Sequence, residues 1–231
     1  MIIFEKCLAV RVTHISMKNK YRYGVILIEP KWHVDVKTSS KITLVVVDMQ
    51  KLFLTEKKSP WMNKKLLSII PNIKKLIENS KIQNVIFTRF TPPKNWQKEK
   101  DSWQTYYRMN QKITPDVIGT GAYGLIDDFT SYISNSVIVS RKKSASIFMT
   151  GNFHSIIKKK STKILIFTGI ETDYCVLSSV LDAIHLGYYV IVVMDACASS
   201  KKQGQKHARG IFDRFPEQLW VTSTNDLINY L

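Results

Sequence analysis

The stretch ILIFTGIETDYCVLSSVLDAIHLGYYVIVVMD (164–195) decides the fold. It opens on a short β-branched apolar run, ILIFTGI (164–170), and closes on another, YVIVVMD (189–195). Neither run alternates apolar with polar residues, so each reads as a strand buried on both faces. Between them, YCVLSSVLDAIHLG (174–187) places apolar residues at helical spacing and ends on Gly187, a good helix stop. Strand, helix and strand in that order predict a parallel pair joined by a right-handed crossover.

The same grammar extends outward. TLVVVDM (43–49), NVIFT (84–88) and SVIVS (136–140) are further short apolar runs, and QLWVTS (218–223) reads as a last strand. Helical patterns fall between or after them, at LLSIIPNIKKLIENS (66–80), LIDDFTSYI (125–133), KKQGQKHARGIFDRF (201–215) and NDLINYL (225–231). Pro71 lies inside the first, which predicts a helix that starts there or is kinked. The expected architecture is a doubly wound parallel sheet, a Rossmann-like three-layer αβα domain over residues 39–231. Residues 1–38, with YGVILI and WHVDV, read as a short N-terminal β extension. Residues 90–124 form a connection too long for a plain link, and its prolines and aromatic residues suggest a lid or pocket wall.

Composition narrows the class. The 231 residues are 45% hydrophobic and 23% charged, which excludes low-complexity and disordered chains. No apolar run has the roughly 18–20 residues of a membrane-spanning helix. Glu5, Lys6 and Arg11 break up what would otherwise be a signal peptide. Three cysteines do not make a disulfide framework, so a reduced, cytoplasmic setting is expected. The net charge is +16, and residues 1–115 carry 22 basic against 8 acidic side chains. Lysine supplies 27 of the 34 basic residues, whereas base reading and phosphate clamping call mainly on arginine. A solvated lysine-rich surface is the reading, with no membrane partner and no specific nucleic-acid partner.

In an open parallel sheet, ligands sit beyond the C-terminal ends of the strands. Asp48 ends the first run, as a cap or as a catalytic carboxylate. Cys175 follows ILIFTGI at the start of a helix, where the helix dipole lowers a thiol pKa from its usual value of about 8.5. A lone cysteine is also commonly just a small buried hydrophobe. Lys142 and Lys143 follow the SVIVS run. GTGAYG (119–124) spells a dinucleotide motif, but no clean strand precedes it. The five histidines form no ligand pair and there is no C-x-x-C, so neither a metal site nor a cofactor is expected.

Three blocks resemble the isochorismatase-like cysteine hydrolases. They are LVVVDMQKLF (44–53), SRKKSASIFMTGNF (140–153) and GIETDYCVLSSVLDAIHLGYYVIVVMDACAS (169–199). The resemblance implies a triad of Cys175 as nucleophile, Asp48 as general base and acid, and Lys142 as the cation beside them. Lys143 is the reserve, because the alignment of the middle block leaves a choice. The resemblance also implies a cis peptide at Ile170–Glu171 and an oxyanion hole from the N–H groups of Glu171 and Cys175. Nicotinamidases of this family carry Asp-x-His and a further histidine as zinc ligands. TRFTPPKNW (88–96) has no histidine, which disfavours that activity. The expectation is metal-independent cleavage of a C–N bond in a small amide or ureido compound by a homo-oligomer. The rivals are hydrolysis of a vinyl ether and a non-catalytic member of the same fold. Candidate pocket residues are Phe53, Trp96, Trp103 and Tyr123, with Arg89 and Arg108 as candidates to hold a substrate carboxylate.

Overall fold

In the computed structural model, which describes residues 41–54, 59–133, 138–149 and 151–231, the apolar runs become one sheet. The strands are β1 (Ile42–Val47), β2 (Asn84–Phe90), β3 (Ile138–Lys142), β4 (Ile164–Ile170), β5 (Tyr189–Ala198) and β6 (Leu219–Thr222). Their order is β3-β2-β1-β4-β5-β6, and every neighbouring pair is parallel. The expected β extension over residues 1–38 lies outside the described residues.

Pleating sends successive side chains to opposite faces, and both faces are dry. Ile42, Leu44 and Val46 of β1 join a core with helix α1 (Leu66–Ile77) and Phe129. Val45 and Val47 join a second core, to which helices α4 (Phe153–Lys159), α5 (Leu177–His185) and α6 (Gly204–Phe212) contribute. The order of strands reverses between β1 and β4, so the crevice for ligands opens at the C-terminal ends of those two strands. Among the described residues, no helix is long and apolar enough to cross a membrane.

Several elements differ from expectation. Helix α1 begins at Leu66 and runs through Pro71. The carbonyl that proline leaves without a partner belongs to Leu67, an exposed residue that water can serve. The 125–133 pattern forms a 3₁₀ helix over Asp127–Tyr132, not an α-helix. Ile126, Phe129 and Tyr132 recur every three residues, the 3₁₀ period. The 90–124 connection folds into helices α2 (Asp101–Met109) and α3 (Pro115–Ile118) with short 3₁₀ turns. GTGAYG contributes one of those turns, at Thr120–Tyr123. A last helix, α7 (Thr224–Tyr230), covers the first core near α1.

Two glycines carry the turns that the fold needs. Gly187 has φ +83° and closes α5 with paired bonds, Tyr188 N–H to Ala183 O and Gly187 N–H to Ile184 O. Gly169 has φ +102° inside β4, where an added Cβ would lie 2.1 Å from the Val47 carbonyl oxygen. Gly169→Ala is therefore expected to cost about 3 kcal/mol or more, because strain and a backbone clash add. A urea midpoint within error of the wild type would contradict this reading of the β1–β4 contact.

Candidate active site

Asp48 is the first residue after β1. It turns the chain with φ +51°, a conformation aspartate tolerates better than most residues. Its N–H donates to Thr88 Oγ1 at 3.3 Å, and the Thr88 hydroxyl donates back to Asp48 Oδ1 at 2.9 Å. Lys142 ends β3, with its side chain directed inward. Its Nζ lies 2.7 Å from Asp48 Oδ2, and both side chains are essentially excluded from solvent, at 1% and 0% exposure. Nζ also donates to Ser144 O at 2.9 Å and to Cys175 Sγ at 3.3 Å. The ion pair is close but poorly angled for a hydrogen bond, so Oδ2 keeps a lone pair for another donor. Lys143 points elsewhere, toward Glu99 at 3.2 Å.

Cys175 does not start an α-helix directly. It lies in a π-helical turn, Thr172–Val176, that leads into α5. The peptide bond Ile170–Glu171 is cis. The Glu171 carbonyl accepts from the N–H groups of Tyr174 and Val176, and skips that of Cys175. The Glu171 carboxylate braces the mouth of the pocket, accepting from Asn63 Nδ2 at 2.7 Å and from the Ser200 N–H at 2.5 Å. Burial raises its pKa, although those two donors work against the rise.

The electrostatics revise one expectation. A helix-start thiol beside a lysine should be acidic, yet Cys175 is pushed up to about 12. Burial is the main cause. The Lys142 charge pulls the other way, and Asp48 adds to the rise. Burial would also lower the Lys142 ammonium, but Asp48 and the thiol outweigh it and hold that pKa above the usual lysine value. At neutral pH the site holds a cation and a thiol that needs a base to lose its proton.

A cavity of about 540 Å³ opens onto Cys175. Phe53 and Trp103 line it, and so do Trp61, Phe90, Tyr106 and Asn110. Four candidates do not. Trp96 packs against the first core and Tyr123 is buried within it, with its hydroxyl donating to Ile113 O. Arg108 lies on the exposed side of α2. Arg89 sits between Thr88 and Phe90 on β2, so the pleat turns it to the opposite face of the sheet. Sequence reasoning missed Trp61 and Tyr106. Trp103, Tyr106 and Tyr107 share one helical face by spacing, a signal that points to Tyr106 beside Trp103. Trp61 carries no local signal, and only the stacking of its ring near Phe53, Phe90 and Tyr106 reveals it.

Gln50 holds this wall in place. Its fully buried amide accepts from the Phe90 N–H at 2.8 Å and donates to the Phe90 and Tyr123 carbonyls, each at 2.9 Å. Nothing at the end of β2 makes a zinc ligand set. Phe90 lies there over Lys142 Nζ, followed by Thr91 and two prolines.

Two outcomes follow from the buried pair and the buried thiol. Lys142→Met leaves the Asp48 carboxylate buried and unpaired, and is expected to destabilise by about 3–5 kcal/mol. Adding Asp48→Asn should return at least about 2 kcal/mol relative to the sum of the single changes, read by urea unfolding as a double-mutant cycle. In the resting protein, the ultraviolet difference spectrum between wild type and Cys175→Ser should show no thiolate step from about pH 6 to about pH 9. A midpoint below about pH 8 would mean that the Lys142 charge outweighs burial.

Known proteins share sequence and fold with this chain. The chain is 24% identical over 172 residues to a probable inactive nicotinamidase of Arabidopsis thaliana, covering 74% of this chain and 86% of that one. It is 30% identical over 104 residues to a ureidoacrylate amidohydrolase of Pseudomonas syringae, covering 45% of this chain and 41% of that enzyme. The match thus spans less than half of the ureidoacrylate enzyme. A cysteine hydrolase structure from Pseudomonas syringae pv. phaseolicola superposes with a TM-score of 0.72 at 19% identity, covering 87% of this chain and 95% of that one. That likeness shows the shared fold. Residues 43–226, most of the chain, match the isochorismatase domain, and the chain belongs to that family.

Proposed function

We propose that the protein is a metal-independent cysteine hydrolase that cleaves the C–N bond of a small amide or ureido compound. The observation that carries this reading is the position of Lys142 Nζ, 2.7 Å from Asp48 Oδ2 and 3.3 Å from Cys175 Sγ. A carboxylate and an ammonium meet behind a thiol that lines a cavity of substrate size.

The chemistry follows from the protonation states. The Cys175 thiol is neutral at rest, so its proton must leave as sulfur attacks. Asp48 Oδ2, with its spare lone pair, takes that proton. The Cys175 Sγ–carbon bond forms and the carbonyl π pair moves onto oxygen, where the N–H groups of Glu171 and Cys175 receive it. Collapse of the adduct breaks the C–N bond, and Asp48 returns its proton to the leaving nitrogen. A thioester remains. Water, deprotonated by Asp48, attacks it, and the acid product leaves as the proton returns to sulfur. Lys142 stays charged throughout. It holds Asp48 in place and offsets negative charge on sulfur.

The pocket favours a flat, largely apolar substrate body, because Trp61, Phe90, Trp103 and Tyr106 present ring faces and edges to it. Its charged lining is mixed, with Glu171 and Asp173 against Lys201. Neither arginine expected to hold a carboxylate reaches it.

The test is a screen of small amides and ureides with ammonia detection, followed by variants on the best substrate. Cys175→Ala and Cys175→Ser are each expected to lower kcat at least about 10³-fold with the fold intact, and excess EDTA to leave the wild type unaffected. Full activity in Cys175→Ala would move vinyl ether hydrolysis to first place. Loss in EDTA, restored by zinc, would show a metal site. No turnover of any amide or vinyl ether would favour a binding protein, in keeping with the relative described as probably inactive.

A further inference from the structure

Strands β2 and β3 end side by side, with Arg89 in register with Arg141 and Phe90 with Lys142. Phe90 and Lys142 serve the pocket. One residue earlier on each strand, the pleat turns both arginines to the other face of the sheet. Guanidinium groups stay charged across the working pH range, and like charges directly opposite on neighbouring strands repel. Among the described residues, no carboxylate pairs with either arginine. The Nε–H of Arg89 is buried and meets no acceptor there. Burial and then the charge of Arg141 lower the pKa of Arg89, which marks the same unrelieved position.

A sequence reading alone would take Arg141 for a solvated surface charge, and the structure does leave it exposed on the edge strand. It gives no such account of Arg89, whose inner nitrogen is out of reach of bulk water. A dianionic oxyanion answers the repulsion between the two cations and the absence of a carboxylate beside them. It bridges the outer nitrogens of the two guanidinium groups, through the fork that arginine offers to phosphate. It also neutralises both cations, and it can enter past the exposed Arg141.

We infer that Arg89 and Arg141 form a binding site for the phosphate group of a small molecule, on the sheet face opposite the catalytic pocket. The site does not depend on the reaction proposed above. It does adjoin the site of that reaction through the chain. The Thr91 N–H donates to Lys142 O at 2.8 Å, so the two strand ends already touch just beyond the arginine pair. A phosphate bridging the arginines draws together the strand ends that carry Phe90 and Lys142.

The test is thermal unfolding of the full chain in rising inorganic phosphate, with ionic strength held constant by chloride and a parallel series in acetate. The wild type is expected to gain roughly 5 °C or more in a saturable curve. Acetate should give a clearly smaller gain. Arg141→Gln removes one of two repelling charges. It should melt at or above the wild type without phosphate, and should lose the saturable response. Arg89→Gln should lose the response too. The Arg141 variant, at an exposed position, keeps the test decisive if the Arg89 variant folds poorly. An undiminished phosphate response in Arg141→Gln would overturn the site and assign the effect to general salt stabilisation of a chain of net charge +16. So would a lower starting midpoint in that variant. An equal gain in acetate would remove the assignment to phosphate.

Discussion

A buried ion pair between Asp48 and Lys142 is the constraint around which the rest of the structure is arranged. Taking a carboxylate and an ammonium out of water costs several kcal/mol for each ion, and their attraction offsets this only when geometry and further hydrogen bonds are good. Each neighbour supplies part of that offset. Thr88 donates to one carboxylate oxygen, the Ser144 carbonyl accepts from the ammonium, and the thiol of Cys175 takes a third contact. The pair spans two strands that are not adjacent, since β2 lies between β1 and β3. Thr88 on β2 is therefore both a spacer and a ligand of the charge. The left-handed turn at Asp48 and the close packing of Gly169 on Val47 bring the first and fourth strands to the same point. Cys175 then follows from β4 without a long excursion.

The consequence for reactivity is a division of labour between charge and burial. Left to itself, Lys142 would favour a thiolate. Burial and the neighbouring carboxylate oppose it, and they prevail. The resting thiol is thus protected, and its proton has one well-placed destination. In the reaction proposed above, such a site keeps its nucleophile dormant until a carbonyl group is close enough to receive it.

Much of this was legible from residue order, and the reasons are physical. The strands ILIFTGI and YVIVVMD are continuous and β-branched because they are buried on both faces, and that pattern survives without any knowledge of partners. Asp48 and Cys175 were legible because each sits where a strand ends, and in a parallel sheet those ends converge. Lys142 came before Lys143 only through the alignment of the middle block, and the pleat at the end of β3 turns Lys142 toward Asp48 and Lys143 toward Glu99. What stayed hidden depends on contacts between distant segments. Arg89 looked like a pocket residue because it follows a strand, but strand parity sends it to the other face. The thiol looked acidic because local rules count the dipole and the lysine, while burial is a property of the whole fold. Trp61 could not be placed because its position depends on rings from three other segments.

Gln50 has a consequence for how such a molecule can change over generations. One amide side chain ties Phe90, where the long wall leaves the sheet, to Tyr123, where it returns. The wall therefore behaves as a cassette held at its neck. Its exposed turns can be lengthened or shortened at little thermodynamic penalty, because loop closure depends only weakly on length once the ends are fixed, while Tyr107 and Ile113 must keep their places in the first core. Asp48, Lys142 and Cys175 lie outside the cassette, at or just beyond strand ends that such rewriting leaves in place. Selection can then draw new substrate preferences from one inherited chemistry, with the neck glutamine as the part least free to vary.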